Sequence, residues 1–149
     1  MRGKTNVMEQ VEQIFQGMEI GVAAPDKLYG IMPGDTVRVK ATIQYRGPAY
    51  SDTFYAAIGN YLVVFDEYWV GSAGVSFPQS TNWVAYELTA NIFITQIAKF
   101  PWTPGWFDII AKLVKPGIGG LCTPRLDNVI EVLLAAEFQN FSITSYGKV

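Results

Sequence analysis

Histidine is absent from this 149-residue chain, and cysteine occurs once. Without histidine the chain lacks the side chain that titrates near neutrality and the commonest metal ligand, and with Cys122 alone no intramolecular disulfide can form. Stability must come from packing. Cys122 lies in Gly119-Gly120-Leu121-Cys122-Thr123-Pro124 with no histidine to activate it, so it reads as an inert small apolar residue, with an intermolecular disulfide as the alternative. Charge is scarce too: 16% of residues are charged, the net charge is −2, and no cluster of Lys and Arg offers the footprint of a nucleic-acid binder. Long apolar runs are missing as well. The uncharged span from Tyr68 to Tyr86 is broken by Gly71, Ser72, Gly74, Pro78, Gln79 and Asn82, so nothing approaches the roughly 18 apolar residues of a membrane-spanning helix. Arg2 and Lys4 lead into Glu9, Gln10, Glu12 and Gln13, not into the apolar core of a signal peptide.

What is present is hydrophobic residue, at 50%, in a chain long enough for one well-buried core and too short for two ordinary domains. Alternation points to strands. Val37, Val39, Ala41, Ile43 and Tyr45 face one way and Thr36, Arg38, Lys40, Thr42, Gln44 and Arg46 the other, which predicts a strand with one wet face. Met32-Pro33-Gly34-Asp35 precedes it as a type II turn, with Pro33 presetting φ and Gly34 supplying the positive φ. Further strands are predicted over Ser51 to Gly59, Tyr61 to Trp69, Val84 to Ile94, Phe107 to Leu113 and Leu126 to Leu133, with Gly71 to Asn82 as a loop. Strands punctuated by Pro and Gly turns predict an all-β fold: a two-sheet antiparallel, immunoglobulin-like sandwich with N- and C-terminal extensions. The expected division is an N-terminal extension over 1–17, the sandwich over 18–134 and a C-terminal extension over 135–149.

The two ends repeat one another. Thr5-Asn6-Val7-Met8-Glu9 returns as Asp127-Asn128-Val129-Ile130-Glu131, and Phe15-Gln16-Gly17-Met18-Glu19-Ile20 returns as Phe138-Gln139-Asn140-Phe141-Ser142-Ile143, at offsets of 122 (Asn6 to Asn128) and 123 (Phe15 to Phe138). This is the pattern of a repeat of roughly 120 residues cut out with both flanks, or of a subunit whose tail takes the place of a neighbour's first strand. The N-terminal stretch itself has two readings. Val7, Met8, Val11, Ile14, Phe15 and Met18 fit a short amphipathic helix closed by Gly17, whereas a copied strand and linker would be extended. At the other end Phe138, Phe141, Ile143 and Tyr146 lie beyond the strand that completes the sandwich, in a segment of high β-propensity.

An apolar strand over Met18 to Ala24, Pro33-Gly34-Asp35-Thr36-Val37 opening an alternating strand, and the breaker Gly47-Pro48 resemble the start of bacterial immunoglobulin-like modules of the cell-adhesion-related (CARDB-like) type. Pro104-Gly105 before Phe107-Asp108-Ile109, and Asp127 to Val132, are similar to their last two strands. The chain departs from that pattern at Tyr45-Arg46-Gly47-Pro48 and in its load of tryptophan. The resemblance implies spacer, adhesive or assembly roles and no catalytic residues.

Catalytic constellations are not evident in the residues either. Asp66 and Glu67 are adjacent and would point to opposite faces of a strand, Asp35 and Asp52 sit at turns where backbone bonding accounts for them, and Gly71 to Gly74 lacks the Lys-Ser/Thr of a phosphate loop. The expectation is a non-enzyme with no cofactor and no metal site. It is read as a structural subunit that forms homo-oligomers or filaments through Val11, Phe15, Met18, Phe138, Phe141, Ile143 and Tyr146, located extracellularly or in a virion. The alternative is a carbohydrate-binding sandwich, with a surface polysaccharide as partner and Trp69, Trp102 and Trp106 as stacking platforms.

Overall fold

A computed structural model of the chain describes residues 10–15, 18–99, 103–116 and 119–149, with the side chains of 10–15 and 18–21 outside the description. It is all-β, a two-sheet immunoglobulin-like sandwich, and among the described residues no helix is long and apolar enough to cross a membrane. In chain order the strands are β1 (Gln10–Phe15), β2 (Met18–Ala23), β3 (Leu28–Ile31), β4 (Thr36–Gly47), β5 (Tyr50–Tyr61), β6 (Phe65–Phe77), β7 (Ser80–Phe93), β8 (Trp106–Leu113), β9 (Leu121–Cys122) and β10 (Leu126–Val132). One sheet runs β2-β1-β4-β7 and the other β3-β10-β8-β5-β6, with β9 beside β8. All pairings are antiparallel except β3 with β10, which is parallel.

Alternation decides what each strand buries. On β4 the inward positions Val37, Val39 and Ala41 are buried, and on β8 Phe107, Ile109, Ala111 and Leu113 are. These meet Phe54, Ala56 and Ile58 of β5 and Leu88, Ala90 and Ile92 of β7 to form one continuous core. Its densest part is aromatic: the Trp69 and Phe107 rings meet edge to face with centroids 5.1 Å apart, and the Trp69 Nε1–H donates to the Thr95 carbonyl at 3.0 Å. The expected turn before β4 is present, with Gly34 at φ 100° and the Asp35 N–H donating to the Met32 carbonyl at 3.0 Å.

Two expectations need correction. Gly71 to Asn82 is not a loop: β6 runs on to Phe77 and β7 begins at Ser80, so only Pro78 and Gln79 turn the chain. The small residues mark close packing there. A Cβ on Gly71 would lie 2.0 Å from the Asn91 carbonyl oxygen, so glycine at this position lets β6 approach β7. The sandwich is also not uniformly antiparallel, because the short edge strand β3 enters alongside β10. At the N-terminus, Gln10–Phe15 is extended and lies between β2 and β4, which selects the strand over the helix for these residues. The expected boundary after residue 17 therefore falls between two paired strands.

Buried carboxylates tie the strands together. Asp108 accepts from the Tyr61 N–H at 2.9 Å and the Asn128 N–H at 2.7 Å, holding β10 where its register shifts at the left-handed Asn128 (φ 53°). Asp52 accepts from the Tyr50 hydroxyl at 2.7 Å, the Thr53 N–H at 2.7 Å and the Lys115 N–H at 3.1 Å. Burial pushes the Asp52 carboxyl up, but these bonds and the Lys115 charge outweigh it and hold it below its ordinary range, while the same bond pushes the Tyr50 hydroxyl up to about 12.

Phe107→Ala is expected to lower unfolding stability by about 3–5 kcal/mol in urea titrations, since the ring is fully enclosed and its cavity cannot collapse against β-sheet neighbours. A carboxyl whose pKa falls on folding contributes stability that is complete above its unfolded pKa of about 4 and is lost as pH drops through the lower folded value. Asp52→Asn is therefore expected to be less stable than the parent at pH 7, with the gap narrowing below about pH 4; thermal melts across that range check it.

Candidate assembly site

The sandwich closes where β10 ends. The Val132 N–H donates to the Gly105 carbonyl at 3.0 Å, the Leu133 N–H to the Ile31 carbonyl at 2.7 Å, and the Gln96 side chain to the Leu134 carbonyl at 2.9 Å. Leu134 is the last buried residue. From 135 to 149 every residue is exposed, none belongs to a strand or helix, and among the described residues no hydrogen bond or ion pair ties this tail to the sandwich. Phe138, Phe141, Ile143 and Tyr146 are 92%, 101%, 86% and 97% exposed.

Such exposure differs in kind from a scattered surface leucine. Each of these side chains leaves about 1.5–3 kcal/mol of burial unrealised in the isolated chain, and four lie within nine residues. Within the tail Asn140 has a φ of 57°, in the left-handed region that asparagine tolerates better than most side chains. That position aligns with Gly17 in the internal repeat, another residue type suited to positive φ.

The other proposed interface residues sit at the opposite end of the sequence. Val11 pairs with Val22 of β2 and Val39 of β4, and Phe15 lies opposite Met18. Val11, Phe15 and Met18 thus belong to two strands of the chain's own sheet. β2 pairs with β1 alone, which makes it the edge of the four-stranded sheet.

The aromatic platforms separate. Trp69 is 3% exposed and belongs to the core, so it cannot stack on a ligand; its indole N–H finds a main-chain partner inside, which makes full burial tolerable. Trp106 is half-buried, edge to face with Tyr29 at 5.1 Å and under Lys27. Trp102 lies outside the described residues. Among the described residues the most exposed indole is Trp83, at 60%, with the Arg46 guanidinium over its ring.

A second apolar feature corrects the expected strand over Tyr61 to Trp69, which begins only at Phe65. Leu62, Val63 and Val64, at 74%, 87% and 63% exposed, form the tip of the turn between β5 and β6. A run of apolar residues beside Asn60 carries no signal that separates a buried strand from an exposed turn. The carboxylates doubted as catalysts are engaged in bonding: Glu67 accepts from the Tyr55 hydroxyl, and one Asp35 oxygen accepts from the Met32 N–H. Among the described residues no group of three or more His, Cys, Asp or Glu could hold a metal ion.

The fold and this arrangement define a β-sandwich with an unanchored apolar tail. No family model, curated protein or solved structure matches the chain. In dilute solution the amides of 135–149 are expected to exchange with deuterium at free-chain rates while β4, β5 and β8 stay protected. Protection of the tail in a demonstrably monomeric sample would contradict this geometry.

Proposed function

We propose that the chain is a non-catalytic structural subunit that assembles with copies of itself through its terminal segments, as part of a virion or of an extracellular filament or surface array. The observation that carries this reading is the tail: four large apolar side chains on a β-prone segment that its own sandwich leaves uncovered. A strand of this kind gains main-chain hydrogen bonds and pockets for alternate side chains by joining a neighbour's sheet edge. Such a contact is head-to-tail, and repetition of it gives rings or filaments.

The resemblance to adhesion-related immunoglobulin-like modules supports the same role class, and the small negative net charge fits a protein partner better than nucleic acid. The carbohydrate-binding alternative is weakened by the loss of Trp69 to the core and by the packing of Trp106 against Tyr29 and Lys27.

Deletion of residues Glu137 to Val149 is expected to leave a folded monomer under conditions where the intact chain assembles, as measured by sedimentation velocity. A truncated chain that assembles as the intact one does rules the reading out.

A further inference from the structure

The self-assembly reading does not say which edge receives the tail, and the internal repeat together with the strand register identifies one. Phe138-Gln139-Asn140-Phe141-Ser142-Ile143 copies Phe15-Gln16-Gly17-Met18-Glu19-Ile20, the stretch that ends β1 and begins β2. Asn140 adopts a left-handed φ of 57°, and the residue aligned with it in the first copy is glycine, the residue type that reaches such a φ most readily. Phe141 and Ile143 stand two residues apart, as Met18 and Ile20 do, so on a strand they share one face.

β2 also lies at an edge of its sheet, where a strand can be exchanged without breaking pairs on both sides. It is held by β1 along a single register, Phe15 opposite Met18, Gln13 opposite Ile20 and Val11 opposite Val22, and among the described residues no strand pairs with its other edge. An incoming strand that reproduces this pairing restores the main-chain bonds the displaced one gives up, with Phe141 and Ile143 taking the places of Met18 and Ile20 and Ser145 that of the half-buried Val22.

We propose that the tail of one chain replaces β2 beside β1 of a second copy, antiparallel to it, with Phe141 opposite Phe15, Ile143 opposite Gln13 and Ser145 opposite Val11. This rests on the self-assembly reading and adds the acceptor and the register. Val11 and Phe15 then become the acceptor strand, Met18 belongs to the segment displaced, and the two ends of the chain form one interface.

The test uses two full-length chains, both Cys122→Ala, one with Gln13→Cys and the other with Ile143→Cys, distinguished by an affinity tag and mixed under mild oxidation with diamide. Paired strands bring such residues within disulfide range. The expected result is a covalent heterodimer, reproduced by the in-register pair Val11→Cys with Ser145→Cys and lost when Ser142→Cys replaces Ile143→Cys. The second pair keeps the test valid if Gln13→Cys impairs folding. Cross-linking of Ile143→Cys to Ile20→Cys in place of Gln13→Cys puts the tail outside β2 and overturns the exchange. Absence of heterodimer from both in-register pairs also overturns it. If the intact chain still assembles and the chain lacking 137–149 does not, the exchange alone fails; if truncation leaves assembly unchanged, the self-assembly reading fails with it.

Discussion

A strand at the edge of a sheet has main-chain donors and acceptors on one side that only water or another strand can satisfy, and an apolar side chain in water is a standing free-energy deficit. Both conditions occur here in one chain. The four-stranded sheet ends at β2, and the tail beyond Leu134 presents four large apolar groups to solvent. The proposed role follows from those two conditions together, while the proposed register rests on the internal repeat, which matches the tail to β2 itself and so sets it beside β1.

The sandwich supplies a rigid frame for this pairing. Its core runs unbroken from Phe54 and Ile58 through Phe107 and Trp69 to Val37 and Ile92, and the buried carboxylates of Asp52 and Asp108 fasten loop and strand backbones at its two sheet ends. The chain leaves that frame abruptly at Leu134, whose carbonyl is the last one held by a side chain of the sandwich. Order up to that point and exposure past it distinguish a projecting segment from a frayed final strand.

Much of the fold was legible because most strands have one wet face. β4 alternates from Thr36 to Arg46 without a break, and the turn before it is spelled by Pro33 and Gly34. Strands β5, β7 and β8 followed from the same signal, whereas β10, which buries the adjacent Val129 and Ile130, does not alternate. The second half of β6 was obscured because Gly71, Ser72 and Gly74 carry turn chemistry in sequence, while in space they pair with β5 and Gly71 lets the strand approach β7. β3 and β9 are four and two residues long, too short for a period to register. Trp69 misled because composition cannot tell an indole with an internal partner for its N–H from one offered to a ligand. The N-terminal residues recur at helical spacing and yet copy a strand at the other end of the chain, so only their place beside β4 decides for strand.

The candidate interface was named in the sequence by its apolar residues past the last strand, and the structure adds their exposure and the left-handed φ at Asn140. Electron microscopy of the purified intact chain at high concentration tests the central claim most directly. The account predicts rings or filaments in which successive sandwiches are joined head to tail; a field of single particles the size of one sandwich would contradict it.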